Sequence, residues 1–159
     1  MVRGRNRLPI LTFVAVLVIL HFLLRVGLGL GELAPDLLVM ALLLAARELR
    51  AGSAAALGLV LGILEGSVIP FALGSLPVVF TVLGYLGSRT RELFAGDSLV
   101  FLALYLFVGK WAADVLLHVL TGAALRTGGV SALLFVSPLA ALYLVAVGLL
   151  AVSMYRAVS

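Results

Sequence analysis

The feature that constrains this chain most is a series of long apolar runs broken at their ends by arginine. The first run, Leu8 to Leu24, follows Arg3, Arg5 and Arg7. The second opens at Leu33-Ala34-Pro35-Asp36 and closes at Arg47-Glu48-Leu49-Arg50. A third extends from Ala51 to about Ile69, and a fourth from Phe71 to Leu86, closed by Arg89-Thr90-Arg91-Glu92. The fifth covers Leu99 to Leu120 and the sixth Ala132 to Met154. Hydrophobic residues make up 64% of the 159 positions and charged residues 11%, against about 25% charged in soluble domains. A fold in water has no means of hiding so much apolar surface, so lipid is the expected solvent. The pattern predicts an all-α, polytopic membrane protein with a single integral membrane domain over 1–159. Its six transmembrane helices are expected near 8–28, 33–49, 51–69, 71–88, 98–120 and 131–154.

Charge sets the expected orientation. Six spans put both termini on one side, together with Arg3, Arg5, Arg7, Arg47, Arg50, Arg89, Arg91 and Arg156. Arg25 and Arg126 fall opposite, and Lys110 lies inside the fifth span. Basic residues concentrate in short cytoplasmic loops, so both termini are expected in the cytoplasm. A five-span arrangement scatters these arginines. The net charge of +4 sits at span ends, where it argues for a membrane surface and against nucleic acid. The first run has a longer apolar core than a secretory signal and no small-x-small site after it, so a retained helix is expected. There is no cysteine, which excludes disulfides, thiolate metal sites and cysteine nucleophiles. Pro35 suits a helix start, Asp36 can accept hydrogen bonds from the free N–H groups there, and Asp97 or Ser98 can do the same for the fifth helix.

Three groups of residues stand out. Ala54, Gly58, Gly62 and Gly66 recur every four residues and form one stripe on the third helix. Such a stripe admits another backbone closely, within the chain or between chains, and packing within the chain is the commoner use. Glu65 ends that helix: it is either a proton or cation site, or an acid that reaches water or bonds the 70–77 turn. Lys110, Asp114 and His118 follow at four-residue intervals on the fifth helix. They read as an intramembrane ion pair of Lys110 with Asp114 that orients the helix, or as a proton path leaving through His118. No partner group on a facing helix is evident. His21 has no visible carboxylate set, and Gly27, Gly29 and Gly31 do not sit between a strand and a helix, so no phosphate loop is expected. No nucleophile elbow, metalloprotease helix or Walker loop occurs. No catalytic residue, cofactor or metal is expected.

Three segments carry a resemblance. They are Pro35-Asp36-Leu37-Leu38, then Gly58-x-x-x-Gly62-Ile63-Leu64-Glu65, then Leu83-Gly84-Tyr85-Leu86-Gly87-x-Arg89. The stretch 33–93 resembles the MreD family, the rod shape-determining proteins of the bacterial elongation machinery, with Glu65 where aspartate is usual. The resemblance implies a non-enzymatic scaffold in the bacterial cytoplasmic (inner) membrane, helping to control peptidoglycan synthesis and cell shape. It also implies a six-helix fold similar to the substrate-binding subunit of energy-coupling-factor transporters. MreC is the implied direct partner, with RodA, its penicillin-binding transpeptidase partner and MreB engaged less directly; a homo-oligomer stays open. Pro35, Asp36, Ala54, Gly58, Gly62, Glu65, Gly66, Gly84, Tyr85 and Arg89 are the implied partner or packing residues. The alternative function is a substrate-binding subunit of an energy-coupling-factor-type vitamin transporter.

Overall fold

A computed structural model describes residues 8–27, 35–69, 72–90, 98–123 and 129–158. Within them the chain is all helical, without strands. We number six helices. α1 is Leu8–Phe22 and runs on into a π-helical turn, Leu23–Gly27. α2 is Leu37–Glu48, α3 Ala51–Val68, α4 Ser75–Thr90 and α5 Leu99–Leu120. α6 begins at Gly129–Ser131, passes through π-helical Ala132–Val136 and continues as Ser137–Val158.

Local chemistry explains the helix ends. The Asp36 carboxylate accepts the Val39 N–H at 3.3 Å and caps α2, while Pro35 precedes the cap instead of opening the first turn. Ser98 caps α5 by accepting the Val100 N–H at 3.2 Å. Asp97, its rival for that role, lies outside the described residues. So do Arg3, Arg5, Arg7, Gly29, Gly31, Pro70, Arg91 and Arg126, and the side chain of Arg156.

Among the described residues, three helices are long and apolar enough to cross a membrane: Ala51–Val68, Leu99–Leu120 and Gly129–Met154. α1 contributes a shorter apolar stretch, Thr12–Arg25. α2 is far shorter than a span. Its 12 residues rise about 18 Å at 1.5 Å per residue, against a hydrocarbon thickness of about 30 Å. It touches all five other helices, and from Leu37 to Ala46 no residue is more than 5% exposed. α2 is therefore the core of the bundle, and the other helices screen it from lipid.

The glycine stripe of α3 is used inside the chain. An added Cβ at Gly58 would collide with the Phe80 carbonyl of α4, and one at Gly62 would lie 2.5 Å from the Pro77 Cα. Gly66 meets Leu73, and Gly84 of α4 presses in return on the Ala54 carbonyl. Of the two uses open to the stripe, the structure shows packing of α3 on α4. The opposite face of α3 leaves Leu59, Val60, Ile63, Leu64 and Val68 exposed.

Polar bonds tie one end of the bundle. Ser88 Oγ donates to the Leu49 carbonyl at 2.7 Å, clamping the α2–α3 turn to α4. The buried Tyr105 hydroxyl lies 3.0 Å from the Leu43 carbonyl and 3.2 Å from the Gly87 carbonyl, linking α5 to α2 and α4. Tyr105→Phe leaves those carbonyls without that donor and should cost about 1–2 kcal/mol, measured by unfolding in mixed micelles. Arg47 stacks over the Tyr105 ring and Arg89 over Tyr85 at this same end.

Candidate functional site: a charged cavity at one end of the bundle

All six helices contribute to a cavity of about 270 Å³ at the end opposite Arg47 and Arg89. Arg25 from the α1 turn, Asp36 at the head of α2 and Glu65 near the end of α3 reach it. Leu76, Val79 and Phe80 of α4 supply apolar wall, Lys110 and Asp114 come from α5, and Ala140 and Tyr143 from α6. The short α2 makes the space possible. Its first residues lie on the cavity wall, where a longer helix would continue through it.

Two charged groups line the cavity. In the first, Glu65 Oε1 accepts from Arg25 Nη1, and Glu65 Oε2 lies 3.1 Å from His21 Nε2. The Glu65 side chain is only 4% exposed and that of His21 1%. Glu65 is thus shielded from water, and among the described residues its side chain bonds α1 and not the turn after α3. It is a buried acid paired across to α1, and both of its oxygens are taken. His21 Nδ1 is buried and has no hydrogen-bond partner among the described residues. Edge-to-face contact with Phe22 at 5.3 Å packs the ring.

In the second group, Lys110 Nζ donates to Asp114 Oδ1 at 2.7 Å and to Asp36 Oδ2 at 3.0 Å. The expected pair of Lys110 with Asp114 is present, and a facing-helix partner that sequence reading did not find joins it. Asp36 serves twice, as the α2 cap and as a second counter-ion for Lys110. A lone lysine midway along α5 would be expensive in lipid; two carboxylates offset that cost and fix α5 against α2. His118 borders this network on the same helix. Its Nδ1 lies 2.9 Å from the Asp114 carbonyl on its own helix.

Among the residues singled out from sequence, Asp36, Glu65, Lys110 and Asp114 meet in this cavity, with Pro35 at its edge. Ala54, Gly58, Gly62, Gly66 and Gly84 form the α3–α4 seam instead. Tyr85 and Arg89 sit at the other end, exposed and stacked on each other. His21 and Arg25 are the site residues that sequence reading left out. Their signal was available: they are four residues apart, on one face, at the end of the helix preceding α2. Among the described residues no three His, Asp, Glu or Cys side chains form a metal-holding group.

Compared with protein-family models, curated proteins and solved structures, the chain matches none.

Proposed function

We propose that this chain is a membrane scaffold of the MreD type, acting without catalysis in the bacterial inner membrane. In this reading it binds MreC directly and RodA with its transpeptidase partner, and MreB, less directly. The observation that supports it is the convergence of the three segments carrying the resemblance. Gly84 of the third packs on Ala54, beside Gly58 and Gly62 of the second, while Asp36 of the first and Glu65 of the second share one cavity. A six-span arrangement like that of energy-coupling-factor substrate subunits, with both termini cytoplasmic, belongs to the same proposal.

Because α4 occupies the glycine seam, the proposed partner surface lies on the exposed apolar faces. Ile19 on α1, Val60 on α3, and Phe135 and Leu139 on α6 are each at least half exposed. Photo-crosslinkers at these four positions, in cells that also carry MreC, should capture MreC from at least one face. Capture from none of them, with the chain stable in the membrane and MreC absent from its detergent isolate, would sink the scaffold reading.

The charged cavity favours a second reading, the substrate-binding subunit of an energy-coupling-factor-type vitamin transporter. That reading expects co-isolation with a transducer subunit and uptake lost on deletion, without a change in cell shape.

A further inference from the structure

We infer that the cavity at the Glu65 end binds a small organic cation: an ammonium group carried on a compact apolar body. The inference stands whether the chain is a scaffold or a transporter subunit. Three observations carry it: the space, the charge count and the wall chemistry.

The cavity volume of about 270 Å³ lies just below the range of about 300–1,000 Å³ typical of small-molecule sites. All six helices frame it, so it is built by the whole fold and not by one loop.

The charges do not balance. Arg25 is matched by Glu65, but the single ammonium of Lys110 serves both Asp36 and Asp114. Of the charged side chains that line the cavity, three are carboxylates and two are permanent cations. One negative charge is left over, on the Asp36–Asp114 side. Asp114 Oδ2 accepts no hydrogen bond from any described residue. The Asp114 side chain is 16% exposed, so this oxygen is accessible from the cavity, where a bound cation would give it a charge-assisted partner.

The surroundings select the kind of cation. A bare metal ion needs several oxygen ligands, and here the Lys110 ammonium already sits between the two acids. Anions are disfavoured by the surplus carboxylate, since both cations are already paired. Leu76, Val79, Phe80 and Tyr143 give the apolar and aromatic wall that suits the body of an organic ammonium ion.

The test uses the full chain in lipid nanodiscs, titrated by calorimetry with n-butylammonium, and with butyrate and sodium as comparison probes. Butylammonium should bind saturably and raise the melting temperature, while butyrate and sodium at equal concentration do neither. Asp114→Asn should weaken butylammonium binding by about tenfold or more, the loss expected for a charged hydrogen bond. Asp36→Asn serves as the second variant. In each, Lys110 keeps one carboxylate partner, so the fold is retained. No saturable butylammonium binding, an equal response to sodium or butyrate, or unchanged affinity in both variants would overturn the inference. MreC capture is scored separately, so failure here leaves the scaffold test untouched.

Discussion

Gly58→Ala is expected to be among the most damaging single changes in the chain. The added methyl has to occupy space held by the Phe80 carbonyl, and a backbone atom inside a helix has no rotamer by which to step aside. α3 and α4 must then separate along their whole shared seam, because Gly62 and Gly84 are fitted to the same close approach. Overpacking typically costs about 1–3 kcal/mol; with backbone as the obstacle, we expect about 3 kcal/mol or more. The control is Gly52→Ala, two turns away on the same helix. A Cβ there meets nothing within 4 Å, so better helix propensity should raise stability by about 0.5 kcal/mol. Reversible unfolding of both variants in mixed micelles checks the contrast. Equal small effects would mean that α3 and α4 are not in close contact in the membrane.

Lys110→Met is the second large effect. The ammonium holds two carboxylates at 2.7 and 3.0 Å, and its removal leaves both acids in the cavity with no cation between them. Breaking a buried ionic group by deleting one member costs about 3–5 kcal/mol; the partial exposure of Asp36, at 27%, favours the low end. The compensated variant Asp36→Asn with Lys110→Met and Asp114→Leu should recover most of that loss, because no unpaired charge remains. The same unfolding assay decides. A single variant as stable as the parent would show that Lys110 is not engaged by both acids.

Much of the fold could be read from local rules. The arginine-bearing breaks mark the helix boundaries to within a few residues, Asp36 caps as an acid before an apolar run should, and Lys110 meets Asp114 because four residues make about one turn. What could not be read depends on which helices are neighbours. Asp36 and Lys110 are 74 positions apart and His21 and Glu65 44 apart, and no periodicity encodes either meeting. The apolar residues of α2 were legible as hydrophobic all round, a pattern shared by helices that face lipid and helices enclosed by protein. The structure assigns α2 to the second class, and its shortness follows. For Glu65, proximity to a helix end suggested water, whereas its surroundings are set by Arg25 and His21 of a different helix.

The enclosure of α2 bears on how the chain is made. An element that needs five neighbours cannot reach its final surroundings while the ribosome is still producing them. When α2 and α3 have emerged, only α1 and α3 are available to flank a 12-residue segment too short to cross by itself. Its capping carboxylate must wait for Lys110, which is synthesised 74 residues later. Insertion of α2 is therefore provisional, as one arm of a hairpin with α3, and becomes final only when α5 and α6 arrive. Chains stopped before Lys110 should be recognised as unfinished by membrane quality-control proteases, whatever the soundness of the helices already in place.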